Sequence, residues 1–190
     1  MRLGLGLQLN KINNKSGITP VTSGLTLDAI WDSITPYYEF TVTAARQASS
    51  AAVYATFDNA DNGILMESGG AGSGFVLYIF DGVLYFQCGS GSSFGSAINR
   101  AEIAWAIPSP TPKSYLIEWS ADSSNAELFI DGVSVGSDTN GHGFITGVNE
   151  GGIGQSYGTV ALVRGGWVGD NDGIFTGVID RAEIFAGETV

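Results

Sequence analysis

A chain of 190 residues can form one large domain that buries roughly 70% of its unfolded surface, so its fold needs no disulfide or metal staple. Only 14% of residues are charged and 28 are glycine, a composition suited to short strands joined by tight turns. A net charge of −11 with no basic patch excludes non-specific binding to nucleic acid or an anionic membrane. No apolar run approaches the ~18 residues of a membrane-spanning helix. The single cysteine, Cys88, rules out an internal disulfide, and its apolar setting predicts a buried, inert thiol.

At the start, Leu3, Leu5, Leu7 and Leu9 alternate with Gly4, Gly6, Gln8 and Asn10. Period two predicts a strand with one leucine face and one nearly bare face that another backbone can approach. This segment is not a good signal peptide, because glycine and glutamine interrupt its apolar residues. The expectation is a chain made and folded in a cytoplasm. Turn formers dominate residues 11–24, which read as a linker. Leu27, Ile30, Trp31 and Ile34 then fall at helical spacing between Thr26 and Pro36, which predicts a short helix.

From Tyr38 onward strand follows strand: 38–44, 51–57, 64–68, 74–80, 83–88, 101–106, 114–120, 126–130, 133–136, 152–155, 160–163 and 174–185. The expected organisation is an arm and linker over 1–37 and an all-β sandwich over 38–190. Its most informative stretch is GFVLYIFDGVLYFQC, residues 74–88. Asp81-Gly82 between two β-rich runs predicts a type I′ turn, which needs positive φ at both central residues. Phe80 then pairs with Val83, Ile79 with Leu84 and Tyr78 with Tyr85. Leu77, Ile79, Leu84 and Phe86 share one face; Val76, Tyr78, Phe80, Val83 and Tyr85 share the other. Both faces are apolar, so both should be covered. A second Asp-Gly hairpin, AELFIDGVSVG, places Ala126, Leu128, Ile130, Val133 and Val135 on a core face, and Glu127, Phe129 and Ser134 on a mostly solvated one. Trp31, Trp105 and Trp119 read as core residues, Trp119 on one strand face with Tyr115 and Ile117.

The ordered set GFVLYIFDGVLYF, SYLIEWSADSSNAELFIDGVSVG, GGIGQ and FTGVIDRAEIFAG resembles the concanavalin A-like lectin/glucanase superfamily, in its laminin G-like branch, over residues 38–187. The resemblance implies an all-β fold: a two-sheet antiparallel jelly-roll sandwich, one sheet often concave and able to carry a sugar. The opening MRLGLGLQLNK and its linker resemble the starts of tailed-phage structural proteins, which implies a lectin-like domain on a virus particle.

Glucanases of this superfamily use Glu-x-Asp-x-x-Glu on one strand; here Val178-Ile179-Asp180-Arg181-Ala182-Glu183 lacks the first carboxylate. A glycosidase needs two carboxylates facing one bond, so Asp180 and Glu183 are expected to cap or pair locally, and the chain is read as no enzyme. Gly91-Ser92-Ser93-Phe94-Gly95 matches Gly-x-Ser-x-Gly, but no helix follows it and His142 is the only histidine. Nothing pairs Cys88 with His142, and neither has zinc-ligand spacing. Tyr157, Trp167, Asp170 and Asn171 lie in a glycine-rich stretch, 151–173, with the residue types that stack on sugars and bond their hydroxyls. Packing of Trp167 in the sandwich or a subunit contact is the competing reading. No cofactor is expected apart from Ca²⁺, for which Asp170 and Asp172 offer oxygen ligands, with Asp58 and Asp61 a weaker second loop; ordinary Asx turns compete with both.

The leading sequence-based reading is a non-catalytic tailed-phage virion protein that decorates or cements the capsid. The first alternative is a tail- or fibre-associated module that binds host glycans; the second is a divergent carbohydrate-active enzyme. Expected partners are further copies of the chain, a trimer by preference, other virion proteins such as the major capsid protein, and glycans. Nucleic acid and membrane are not expected. The leucine face of residues 1–10 needs cover, and is read as an arm that adds to a neighbouring subunit or particle surface.

Overall fold

The computed structural model describes residues 17–34, 38–42, 49–70, 73–89, 100–122, 124–139, 149–156, 173–186 and 189–190. These form twelve strands: β1 (Leu27–Ile34), β2 (Tyr38–Val42), β3 (Ser49–Phe57), β4 (Gly63–Gly70), β5 (Ser73–Phe80), β6 (Val83–Gly89), β7 (Arg100–Ala106), β8 (Lys113–Ala121), β9 (Ala126–Ile130), β10 (Val133–Asp138), β11 (Asn149–Ile153) and β12 (Val178–Ala186). They build two six-stranded sheets, β1-β12-β3-β8-β9-β10 and β2-β11-β4-β5-β6-β7, with every pairing antiparallel. The fold is a jelly-roll β-sandwich. Among the described residues there is no helix, so none is long and apolar enough to cross a membrane.

Both Asp-Gly turns have the backbone their sequence requires, with φ of 51° and 75° at Asp81 and Gly82, and 52° and 78° at Asp131 and Gly132. The first hairpin has the expected register, Tyr78 opposite Tyr85 and Ile79 opposite Leu84. Alternation then sends Leu77, Ile79, Leu84 and Phe86 into the core between the sheets, and Val76, Tyr78, Phe80 and Tyr85 to the outer face. The first sheet contributes Val53, Ile117, Trp119 and Ile184 to the same core. Trp119 is its centre, fully buried, stacked on Phe86 at 4.8 Å and tilted against Phe75 at 4.5 Å. Trp31 and Trp105 pack against its margin.

Three expectations are corrected. Residues 27–34 are not a helix but strand β1, which pairs with β12 in register Trp31 to Ala182; the sheet therefore begins inside the stretch read as linker. The spacing of 27, 30, 31 and 34 is helical, but pairing to a distant strand overrides it. The last strand starts at Val178, not 174, because residues 173–176 instead bond the neighbouring turns: Ile64 N–H donates to Gly173 O at 2.8 Å and Thr176 N–H to Asn62 O at 2.9 Å. Val133 is 65% exposed rather than in the core, since it opens edge strand β10; a bulge between Ser134 and Gly136 leaves Val135 as the residue packed on the core. Residues 160–163, also expected as a strand, lie outside the described residues.

Candidate functional site

A sandwich has two outer faces, and the chain treats them differently. On the first sheet, Ala52, Leu116 and Phe185 form an apolar patch, with Ile18, Leu25 and Tyr54 packed on it. Residues 18–25 thus run across this face as a strap. They pass against the β9–β10 turn, where a Cβ on Gly132 would meet Thr19 O at 3.3 Å. The strap is fastened at Glu118, which is fully buried; its Oε1 accepts from Thr22 N–H at 2.9 Å and from Thr22 Oγ1 at 2.7 Å. Beside it Arg181 donates through Nε to Glu183 at 2.7 Å and lies 5.9 Å from the Tyr54 ring. Burial first, and then the Glu183 charge, push the Tyr54 hydroxyl up to about 12. Glu183 is therefore committed to Arg181, the local pairing expected of the Val178–Glu183 segment, while Val178 and Asp180 are exposed.

The outer face of the second sheet carries the richer chemistry. Antiparallel register lays its side chains out in rows across β4, β5, β6 and β7. The first row is Ile64, Tyr78, Tyr85 and Ala104. The next is Glu67, Val76, Gln87 and Glu102, and the third is Gly69, Gly74, Gly89 and Arg100. The face thus passes from an aromatic row through a polar row to a row of three glycines ending in an arginine. Tyr78 and Tyr85 stack at 5.1 Å with 19° between their planes. Tyr78, Glu67 and Gln87 are fully buried, whereas Tyr85 and Glu102 are half-buried and Ala104 is exposed, so the face opens toward β7.

The polar groups form one network. Gln87 Nε2 donates to Tyr78 Oη at 2.9 Å and to Glu102 Oε2 at 2.7 Å. Arg100 Nη2 donates to the same carboxylate oxygen at 3.2 Å. Behind them, the Glu102 backbone N–H donates to Asp138 Oδ2 at 3.0 Å, which ties edge strand β7 to β10 of the other sheet. Three buried atoms of the network have no hydrogen-bond partner among the described residues: Gln87 Oε1, Arg100 Nε and Arg100 Nη1. An unmet buried polar group costs about 1–3 kcal/mol, and all three of these atoms lie beneath the surface of the face.

Sequence reading did not single out these residues. Its glycan candidates Tyr157, Trp167, Asp170 and Asn171, the calcium candidates Asp170 and Asp172, and the arm leucines Leu3, Leu5, Leu7 and Leu9 all lie outside the described residues, as do Gly91–Gly95 and His142. The weaker calcium loop is described: Asp58 Oδ1 accepts from Ala60 N–H at 2.8 Å, and Asp61 accepts from Asp58 N–H at 2.9 Å and Thr176 Oγ1 at 2.7 Å. These are turn-holding bonds, and no group of three or more His, Cys, Asp or Glu with metal-binding geometry occurs among the described residues. Cys88 is buried on the core side, where burial pushes its thiol up to about 12.

No family model and no curated protein sequence matches this chain. Its likeness is to solved structures. The CBM40 of Ruminococcus gnavus IT-sialidase, bound to α2,3-sialyllactose, superposes with a TM-score of 0.58 at 17% identity, over 85% of this chain and 92% of that one. The binding domain of botulinum neurotoxin serotype D gives 0.58 at 12% identity, over 88% of this chain but only 42% of that one. The serotype D ligand-binding domain in complex with N-acetylneuraminic acid gives 0.57 at 12% identity, over 90% and 42%. At such identities the likeness is one of fold.

Proposed function

We propose that this chain is a non-catalytic glycan-binding module whose site is the outer face of the second sheet. The observation that carries the reading is the β7 side of that face, where half-buried Tyr85 stands one row from the Gln87–Glu102–Arg100 amide–carboxylate–guanidinium network. Aromatic faces stack on the apolar face of a pyranose, while amides, carboxylates and guanidinium groups bond its hydroxyls. Two of the structures similar in fold were solved with a sialylated sugar or N-acetylneuraminic acid bound, which supports a binding rather than a hydrolytic role. The Val178 substitution in the glucanase-like segment supports the same conclusion.

The proposed setting is a tailed-phage virion. It rests on the resemblance of residues 1–11 to the starts of such proteins and on the leucine face of that segment, which would join copies of the chain into a homo-oligomer, a trimer by preference, on a tail or capsid. A capsid cement without a ligand is the reading this proposal displaces.

Glycan-array screening of the purified chain tests the proposal, with each hit titrated against the wild type and Tyr85→Ala. Loss of the stacking ring is expected to weaken binding about tenfold without unfolding the protein. An array without hits, or hits that Tyr85→Ala leaves unchanged, would refute it.

A further inference from the structure

We infer that edge strand β1 is the landing site for the leucine arm of a second copy, whose residues 3–9 add to the first sheet as one more strand; this rests on the arm-joined oligomer proposed above. β1 ends the first sheet, and at eight residues it is the longest of the four edge strands, against five to seven for β2, β7 and β10. The edges β7 and β10 close on each other. Glu102 N–H of β7 donates to Asp138 Oδ2 of β10 at 3.0 Å, and a Cβ on Gly136 would lie 2.7 Å from Ile103 Cγ2. β1 instead carries exposed Leu27 and Ile30. Leu27 stands opposite Phe185 and Ile30 opposite Glu183, so the pair extends the apolar patch of Ala52, Leu116 and Phe185 to the sheet margin. A long edge with exposed apolar residues is a template for a further strand.

The arm fits this edge in pattern, charge and reach. Leu3, Leu5, Leu7 and Leu9 share one side of an extended chain. Set beside β1 with the leucines toward Leu27 and Ile30, they cover that pair. Gly4 and Gly6 then fall on the side of Trp31, which packs at the core margin, and raise no side chain against it. Residues 1–27 carry Arg2, Lys11 and Lys15 and no acid, whereas residues 28–190 hold all 19 Asp and Glu against five Lys and Arg. A basic arm thus meets an acidic body, with Asp32 exposed on β1 itself. Pairing of β1 with its own copy is disfavoured, because LDAIWDSI has two aspartates and no cation, and like charges would stand on adjacent strands. The start of the strap decides between a chain's own edge and its neighbour's. Ile18 lies at the β9–β10 turn, 3.7 Å from where a Cβ on Gly132 would be, and β9 is four strands, about 19 Å, from β1. The strap fills the ground between. An arm returning to its own β1 would have to recross that strap, whereas the β1 edge of a second copy is reached without crossing.

Sedimentation of the full chain over a concentration series tests the landing site, with thermal melts to show that each variant folds. Wild type should assemble. Ile30→Lys, which sets a cation on the edge, should weaken assembly at least about tenfold, and so should Leu5→Asp combined with Leu7→Asp in the arm. Leu27→Lys is the second edge variant should Ile30→Lys not fold. An equimolar mixture of edge and arm variants should regain one-to-one pairs, because an intact arm then meets an intact edge. Edge variants that assemble like wild type while arm variants do not overturn the landing site and leave the arm-joined oligomer standing. So does a mixture no more associated than its parts. Arm variants that assemble like wild type, or a monomeric wild type, overturn both. The glycan array reads the second-sheet face independently of each result.

Discussion

Replacing Thr22 by valine keeps the size and branching of the side chain but deletes one of the two donors that fasten the strap to Glu118. The lost bond is 2.7 Å long and runs to a carboxylate oxygen on a fully buried side chain. Hydrogen bonds to charged groups contribute about 1.5–3 kcal/mol, and the remaining backbone N–H at 2.9 Å cannot compensate alone. The expected loss is about 2–3 kcal/mol. For a chain of this size each kcal/mol moves the melting temperature by about 2–4 °C, so a fall of about 4–12 °C should follow. Urea denaturation gives the free energy, and a double-mutant cycle with Glu118→Gln isolates the pair, with a coupling of at least about 1 kcal/mol expected. Limited proteolysis supplies a local readout: Thr22→Val should hasten cleavage within residues 18–25, which loses its anchor while keeping Ile18 and Leu25 on the apolar patch. A Thr22→Val protein within about 0.5 kcal/mol of wild type, additive with Glu118→Gln, would refute the claim that the strap is part of the folded unit.

Leu84 is fully buried opposite Ile79, so Leu84→Ala should cost about 2–5 kcal/mol by denaturant melt, and an unchanged midpoint would show the hairpin register to be wrong. Gly63 sits at φ +116°, where an added Cβ would lie 2.4 Å from Ile174 O and 2.5 Å from Phe175 Cα. Both neighbours are backbone, so Gly63→Ala should destabilise by at least about 2 kcal/mol, whereas a neutral effect would mean that residues 173–175 do not close against β4. Because burial raises the folded Cys88 pKa from 9.0 to about 12, the unfolded chain loses this proton first as pH rises. Stability should therefore be intact below pH 9 and fall by about 1.4 kcal/mol per pH unit between 9 and about 12. Cys88→Ala should flatten that part of the profile relative to wild type, and parallel profiles would contradict the burial.

What was legible in the sequence is what is local. The two Asp-Gly turns announce themselves because positive φ at consecutive positions restricts residue choice, and alternation then assigns both faces of β5 and β6. Strand β1 was hidden because its partner, β12, lies about 150 positions away and no local signal outweighs the helical spacing of Leu27, Ile30, Trp31 and Ile34. Leu27 and Ile30 are 45% and 39% exposed, so half of that apparent apolar stripe is the outer side of an edge strand. The network on the second sheet was hidden for the same reason. Gln87 could have been noticed as the one polar residue in the run VLYFQC, yet its meeting with Glu102 and Arg100 depends on a register set across a connection of ten residues, 90–99. Glu118 reads as a solvated strand residue until Thr22, 96 positions earlier, is found covering it. Composition and turn chemistry point to a sandwich; which carboxylates are buried, and against what, emerges only from non-local pairing.

The central claim is that sugar binds on the outer face of the second sheet, and heteronuclear NMR tests it at the atoms concerned. The Gln87 side-chain amide, the Arg100 Nε–H and the Tyr85 ring each give resolvable signals, and all three sit in neighbouring rows of that face. Titration with the tightest glycan from the array should shift these signals first and in a common saturating curve, while Arg181 Nε–H on the opposite, strapped face stays still. Saturable shifts confined to Arg181, Tyr54 and the strap, or to the turn at Asp58–Asn62, would contradict the account.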